Sequence, residues 1–118
     1  MNAQPSHVQV VVSDCSATDA GRLFAVLRRL FASDRDDGDV PPTGSTAWLG
    51  TFDTDAVRPP APDVRVSLTG PVLADLQGTP LAVRRLEHVL EDTFTVHELG
   101  SASGDQEVEI VLRLEQRR

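Results

Sequence analysis

Three kinds of apolar spacing run along the chain, and they set out its elements before any chemistry is considered. The first is alternation. In "HVQVVVS" the residues Val8, Val10 and Val12 fall on one side of an extended chain and Val11 on the other. That pattern predicts a central strand with apolar character on both faces. The second is helical. From Ala17 to Phe31, the residues Ala20, Leu23, Phe24, Leu27, Leu30 and Phe31 recur at three- and four-residue steps, while Arg22, Arg28 and Arg29 take the remaining positions. "SATD" ahead of this run supplies a hydroxyl for an orphan amide and an early carboxylate, Asp19, for the helix dipole.

Further on, "TAWLGTFDT" (46–54) predicts a strand with Trp48 and Phe52 on one face and Leu49 on the other. "VRVSLTG" (64–70) alternates Val64, Val66 and Leu68 and predicts another. The stretch 71–78 admits a short helical turn or an irregular segment anchored by Val72, Leu73 and Leu76. "TP" at 79–80 then starts a second helix, since Thr79 can cap it and Pro80 suits its first position. That helix runs to about residue 93, with Val83, Leu86, Val89, Leu90 and Phe94 inward. "TFTVHEL" and "EVEIVLRLE" predict the last two strands, joined through "GSASGDQ". In the final strand Val108, Ile110, Leu112 and Leu114 share one side; burying each is worth roughly 1.5–3 kcal/mol, so that side faces the helices.

The third pattern is a repeat. A shift of 63 residues lays Ala20, Leu23, Leu27 and Phe31 on Val83, Leu86, Leu90 and Phe94, and Arg22 on Arg85. Together the elements predict an α+β domain, a ferredoxin-like α/β sandwich of order β-α-β-β-α-β plus a C-terminal strand. Its two helices pack on one face of an antiparallel sheet. Residues 1–7 are expected to be a flexible start and 8–116 a single domain. The face away from the helices holds Val11, Val111 and Leu49 or Trp48 among charges, a composition suited to a modest contact surface.

Two strongly loop-forming segments interrupt this plan. "ASDRDDGDVPPTGS" (32–45) is Asp-rich with a Pro pair, and "RPPAPD" (58–63) has three prolines in five residues, which removes ladder donors. The acidic loop fails as a calcium loop of the EF-hand kind. Counting from Asp34, the sixth position is Asp39 where a glycine is required, and the twelfth is Ser45 where a glutamate is required.

Charge narrows the function classes. A net charge of −7 with 11 basic against 18 acidic residues opposes a phosphate-tracking surface, so no nucleic-acid partner is expected. No apolar run is long enough for a membrane helix and residues 1–7 lack the basic start of a signal peptide, so the expectation is a cytoplasmic protein. One cysteine excludes an internal disulfide and a cysteine-based zinc cage.

That cysteine, Cys15, stands where a strand passes into a helix, a position that favours reactive thiols. Cysteine-dependent phosphatases space Cys and Arg five residues apart there. Here six residues separate Cys15 from Arg22, and Asp14 and Asp19 oppose an anion. A small turn-side hydrophobe is the better reading, and no catalytic residue is assigned. His7, His88 and His97 have no metal-ligand spacing, so neither a metal nor a cofactor is expected.

The segment "SDCSATDAGRLFAVLRRLF" resembles the first strand-loop-helix of ACT-type regulatory domains, whose Asp and Gly turn binds amino acids at domain interfaces. Asp19 and Gly21 take those places here, although the loop is longer and no Pro precedes the Gly. The resemblance implies a ligand-binding turn made of Asp14, Ser16, Thr18, Asp19 and Gly21. Two readings of function follow. The first is a non-enzymatic, acidic interaction or accessory domain that acts through protein–protein contacts and self-associates as a homodimer. The alternative is a small-molecule-binding regulatory sensor that uses the turn.

Overall fold

The computed structural model describes residues 6–33, 47–54 and 67–116. The Asp-rich loop, the proline-rich segment and the expected strand residues 64–66 lie outside the described residues, as do the first five and last two positions.

Within those limits the domain is α+β, an antiparallel sheet with two helices. The elements are β1 (His7–Ser13), α1 (Ala17–Leu30), β2 (Ala32–Ser33), β3 (Ala47–Asp53), β4 (Val72–Gly78), α2 (Pro80–Thr93), β5 (Phe94–Ser103) and β6 (Val108–Gln116). The sheet order is β2-β3-β1-β4-β6-β5, with every pairing antiparallel.

This order differs from the ferredoxin-like expectation. In each half a strand, a helix, a second strand and a third fold as a split β-α-β unit, β1-α1-β2-β3 and β4-α2-β5-β6. The halves lie side by side and meet through β1 and β4, whereas ferredoxin-like halves interleave. The cause is residues 72–78, which sequence left open between a turn and an irregular segment. They form a strand with Val72, Ala74, Leu76 and Gly78 buried in alternation, paired on one side with β1 and on the other with β6. Residues 67–70, assigned by alternation to a strand, form none. Their donors and acceptors go elsewhere: the Leu68 amide donates to Gln116 Oε1 at 3.1 Å and Arg22 donates to the Ser67 carbonyl.

The repeat seen in sequence is a structural one. α1 and α2 start 63 positions apart and are equal in length. Ser16 caps α1 by accepting from the Asp19 amide, and Thr79 caps α2 by accepting from Ala82. Each helix ends on a Phe whose amide donates to a Leu carbonyl, Phe31 to Leu27 and Phe94 to Leu90. The edge strands diverge: β2 has two residues and its counterpart β5 has ten. β5 also extends beyond the expected end at Leu99. Gly100, Ser101, Ala102 and Ser103 continue the ladder against Val111 to Val108, and the turn closes only where Gly104 N–H donates to the Glu107 carbonyl.

Both helices cover the same sheet face. Val8, Val10 and Val12 of β1, Trp48 and Phe52 of β3, and Ile110, Leu112 and Leu114 of β6 are buried there with Ala20, Leu23, Leu27, Val83, Leu86 and Leu90 of the helices. Phe24 stacks on Phe52 with centroids 6.0 Å apart. Gly50 lies directly beneath it, because a Cβ there would stand 3.0 Å from the Phe24 ring. At the junction of the halves, a Cβ on Gly78 would come within 2.7 Å of the His7 carbonyl oxygen. Glycine is what lets β4 approach β1 there.

Candidate functional site: the β1–α1 turn and the uncovered sheet face

The turn that sequence singled out is built as a helix entrance. Asp14 takes a left-handed conformation (φ 57°), which an aspartate tolerates better than most residues, and reverses the chain out of β1. The Ser16 hydroxyl then accepts from the Asp19 amide at 3.1 Å. Asp19 is buried, and its carboxylate accepts from the Thr69 amide at 3.0 and 3.2 Å and from the Thr69 hydroxyl at 2.8 Å. With Arg22 bound to the Ser67 carbonyl, the N-terminal half of α1 is tied to the non-strand segment 67–70 ahead of β4. Of the five residues expected to bind a ligand, Ser16 and Asp19 therefore hold the fold together. Gly21 lies within α1, and Asp14 and Thr18 are exposed.

Cys15 is half-buried against the core. Burial, followed by the charges of Asp19 and Asp14, pushes its thiol above the ordinary value, against a weaker opposing hydrogen bond with the Ala20 backbone. Each of those two leading effects disfavours thiolate. The histidines stand apart from it: His7 is 3.7 Å from Asp53, His88 is 3.6 Å from Glu91 and His97 is 3.9 Å from Glu115. Among the described residues no group of three His, Cys, Asp or Glu side chains could hold a metal, and no helix is long and apolar enough to cross a membrane.

The other candidate is the sheet face that neither helix covers. Register places Leu49, Val11, Asp75, Val111 and Gly100 in one row across five strands. Ala47, Ser13, Leu73, Arg113 and His97 form the row on one side; Thr51, Gln9, Gln77, Glu109 and Ala102 form the row on the other. Leu49 is 49% exposed, while Val11, Leu73 and Val111 are half-buried.

In the middle of this apolar row sits Asp75, whose side chain hydrogen-bonds Glu109 diagonally across β4 and β6. Partial burial, the shared hydrogen bond and the Glu109 charge push the Asp75 carboxyl up to about 6. The spacing predicts Val11, Val111 and either Leu49 or Trp48 on this face; the structure puts Leu49 here and Trp48 in the core, and adds Asp75, which the open assignment of residues 71–78 hides in the sequence. The alternation of Leu73, Asp75 and Gln77 against Val72, Ala74 and Leu76 is the signal that could have found the pair. Beside it, Gln77, Ser103, Asp105, Glu107 and Glu109 line an open cleft of about 420 Å³ under the β5–β6 turn.

Trp48 adds a feature that sequence could not show. It lies on the covered face opposite Val12, and its indole N–H is buried with no acceptor among the described residues. Comparison with protein-family models, with curated proteins and with solved structures finds no match.

Proposed function

We propose that this chain is a non-enzymatic accessory domain that binds a protein partner on the uncovered face of its sheet. The observation that carries the reading is the row Leu49–Val11–Asp75–Val111. It combines apolar side chains on a surface that no described element covers with two carboxyls drawn into one hydrogen bond. Apolar area offers the driving force for association and the paired acids set the selectivity. The complementary surface carries an Arg or Lys flanked by apolar side chains, since a cation placed between Asp75 and Glu109 relieves their repulsion. The helices supply the core that keeps the sheet rigid, and the β1–α1 turn is one of its fasteners.

A photo-crosslinking residue placed at Leu49 or Val111, and separately at the exposed Arg85 on α2, tests this in cells of the source organism. The reading expects a discrete adduct from the two sheet positions that disappears when Asp75→Arg is added, and none from the helix position. Equal adducts from both faces, or an adduct indifferent to Asp75→Arg, would sink it.

A further inference from the structure

Asp75 and Glu109 meet across two strands, and carboxyls bond to each other only through a proton. An ionised carboxylate accepts hydrogen bonds and has none to donate, so the bond between the two side chains exists only while one of them is protonated. Register forces the meeting. Asp75 stands opposite Val111 and Glu109 opposite Gln77, which makes the two acids diagonal neighbours on one face of β4 and β6.

Among the described residues, the cations of this face are turned to other acids. Arg113, the second diagonal neighbour of Asp75, lies 3.0 Å from Glu115. His97, opposite Arg113, lies 3.9 Å from the same Glu115, and His7 on β1 lies 3.7 Å from Asp53 on β3. Where β1 adjoins β4 it sets Gln9, Val11 and Ser13 on this face, none of them charged. The other charges beside the pair, Asp105 and Glu107 of the β5–β6 turn, are acids. A proton is therefore what holds the two carboxyls together.

Glu109 has a second place to go. With Gln77 and Ser103 it lines the open cleft of about 420 Å³ under the turn, whereas Asp75 does not. Without the proton, repulsion between the carboxylates drives the longer side chain away from Asp75 and into that cleft, where water solvates it.

We propose that Asp75 and Glu109 are a proton-operated switch on the docking face: closed on a shared proton, the pair offers a partner's cation one charge, and once the proton leaves for solvent the pair opens and offers two. The inference rests on the reading of this face as a docking surface and adds its regulation. Contact with the partner's Arg or Lys is strong with the pair open and weak with it closed. The pair opens as pH rises through about 6, where the Asp75 carboxyl titrates. Docking therefore strengthens over the window in which the fold loses stability from the same group. That opposition of sign separates a switch from a merely structural contact.

Titration with butylguanidinium, an apolar chain ending in the cation this face is read to accept, tests the switch on the whole chain, followed by amide shifts in nuclear magnetic resonance. Shifts at Asp75, Glu109 and Val111 are expected to saturate at an at least fivefold lower probe concentration at about pH 7.5 than at about pH 5. Asp75→Asn keeps a donor for Glu109 and so keeps the pair closed. It is expected to bind the probe weakly and equally at both pH values, with His7 and His97 unchanged. Glu109→Gln gives the same reading from the other side if the first variant does not fold. Equal affinity of the unaltered chain at the two pH values overturns the proposal, as does no saturation at either, or a pH dependence that survives both substitutions. Sheet-face adducts of equal yield in lysates at the two pH values also overturn it and leave docking standing. Absence of adducts at both sinks the docking reading, while the probe still decides the switch.

Discussion

Removing the carboxylate of Asp19 tests whether the β1–α1 turn is a fastener. Asp19 is 2% exposed and accepts from both the amide and the hydroxyl of Thr69, fifty positions away. Hydrogen bonds to a charged group contribute about 1.5–3 kcal/mol each, and a carboxylate in the first helical turn adds about 0.3–1 kcal/mol through the dipole. The two Thr69 donors regain only part of their solvation when Asp19 is cut back to alanine, so the net loss is about 3 kcal/mol. For a domain of this size about 4 °C is lost per kcal/mol, which puts the fall in melting temperature near 12 °C.

The chain has one tryptophan, and Trp48 is buried, so urea denaturation followed by its fluorescence reads the loss directly. Thr69→Val keeps the amide donor and removes the hydroxyl, and is expected to lose about 1 kcal/mol. In a double-mutant cycle the two losses do not add, because both act on one contact. An Asp19→Ala loss below about 0.5 kcal/mol, the range of an ordinary surface substitution, would refute the fastener. Full additivity with Thr69→Val would also refute it, and would return the carboxylate to the list of ligand candidates.

Asp75 gives a pH test. Its carboxyl is raised in the folded state from 3.8 to about 6, so the folded protein holds a proton that the unfolded chain releases earlier. Stability from this group is therefore full below pH 3.8 and is lost as pH rises through about 6. Discounted for solvent screening of a half-exposed pair, that loss is about 1 kcal/mol. Asp75→Asn is expected to gain that much at neutral pH and to flatten the slope in this window; a loss at neutral pH would contradict the like-charge origin. Gly78→Ala forces a Cβ against the His7 carbonyl and is expected to cost about 1–3 kcal/mol. Gly70→Ala, with nothing within 4 Å of its Cβ, is expected to be neutral or to gain about 0.4–1 kcal/mol; equal thermal melts for the two would undo the close-approach argument. Iodoacetamide labelling of Cys15 is expected to titrate above the ordinary thiol value of 9.0, and a midpoint below it would reopen the case for a reactive thiol.

The Asp75–Glu109 pair shows why part of the candidate site was illegible. The residues are 34 positions apart, and neither has a local neighbour that would mark it as special. Their meeting depends on β4 pairing with β6 in one register. A slip of one residue would send Asp75 into the core and Leu76 into water. By contrast, Val11 was assignable to the uncovered face from its own strand, because alternation is a property of consecutive residues; in β3 alternation separates Leu49 from Trp48, and only the core decides which of them faces outward.

The sequence by itself determined both helices, their hydroxyl caps at Ser16 and Thr79, the repeat that relates them, and the inward sides of β1 and β6. Apart from the repeat, which compares segments 63 positions apart, these rest on spacing among near neighbours in the chain, and burial follows that spacing wherever a core exists. Tertiary structure alone decided that residues 72–78 form a strand, because Val72, Leu73 and Leu76 fit a helical turn equally well until β1 and β6 offer hydrogen bonds on both sides. It also decided the order β2-β3-β1-β4-β6-β5, the meeting of Asp75 with Glu109 and the capture of Asp19 by Thr69. Strand neighbours are chosen by how the whole chain closes around one core, and no local pattern carries that choice.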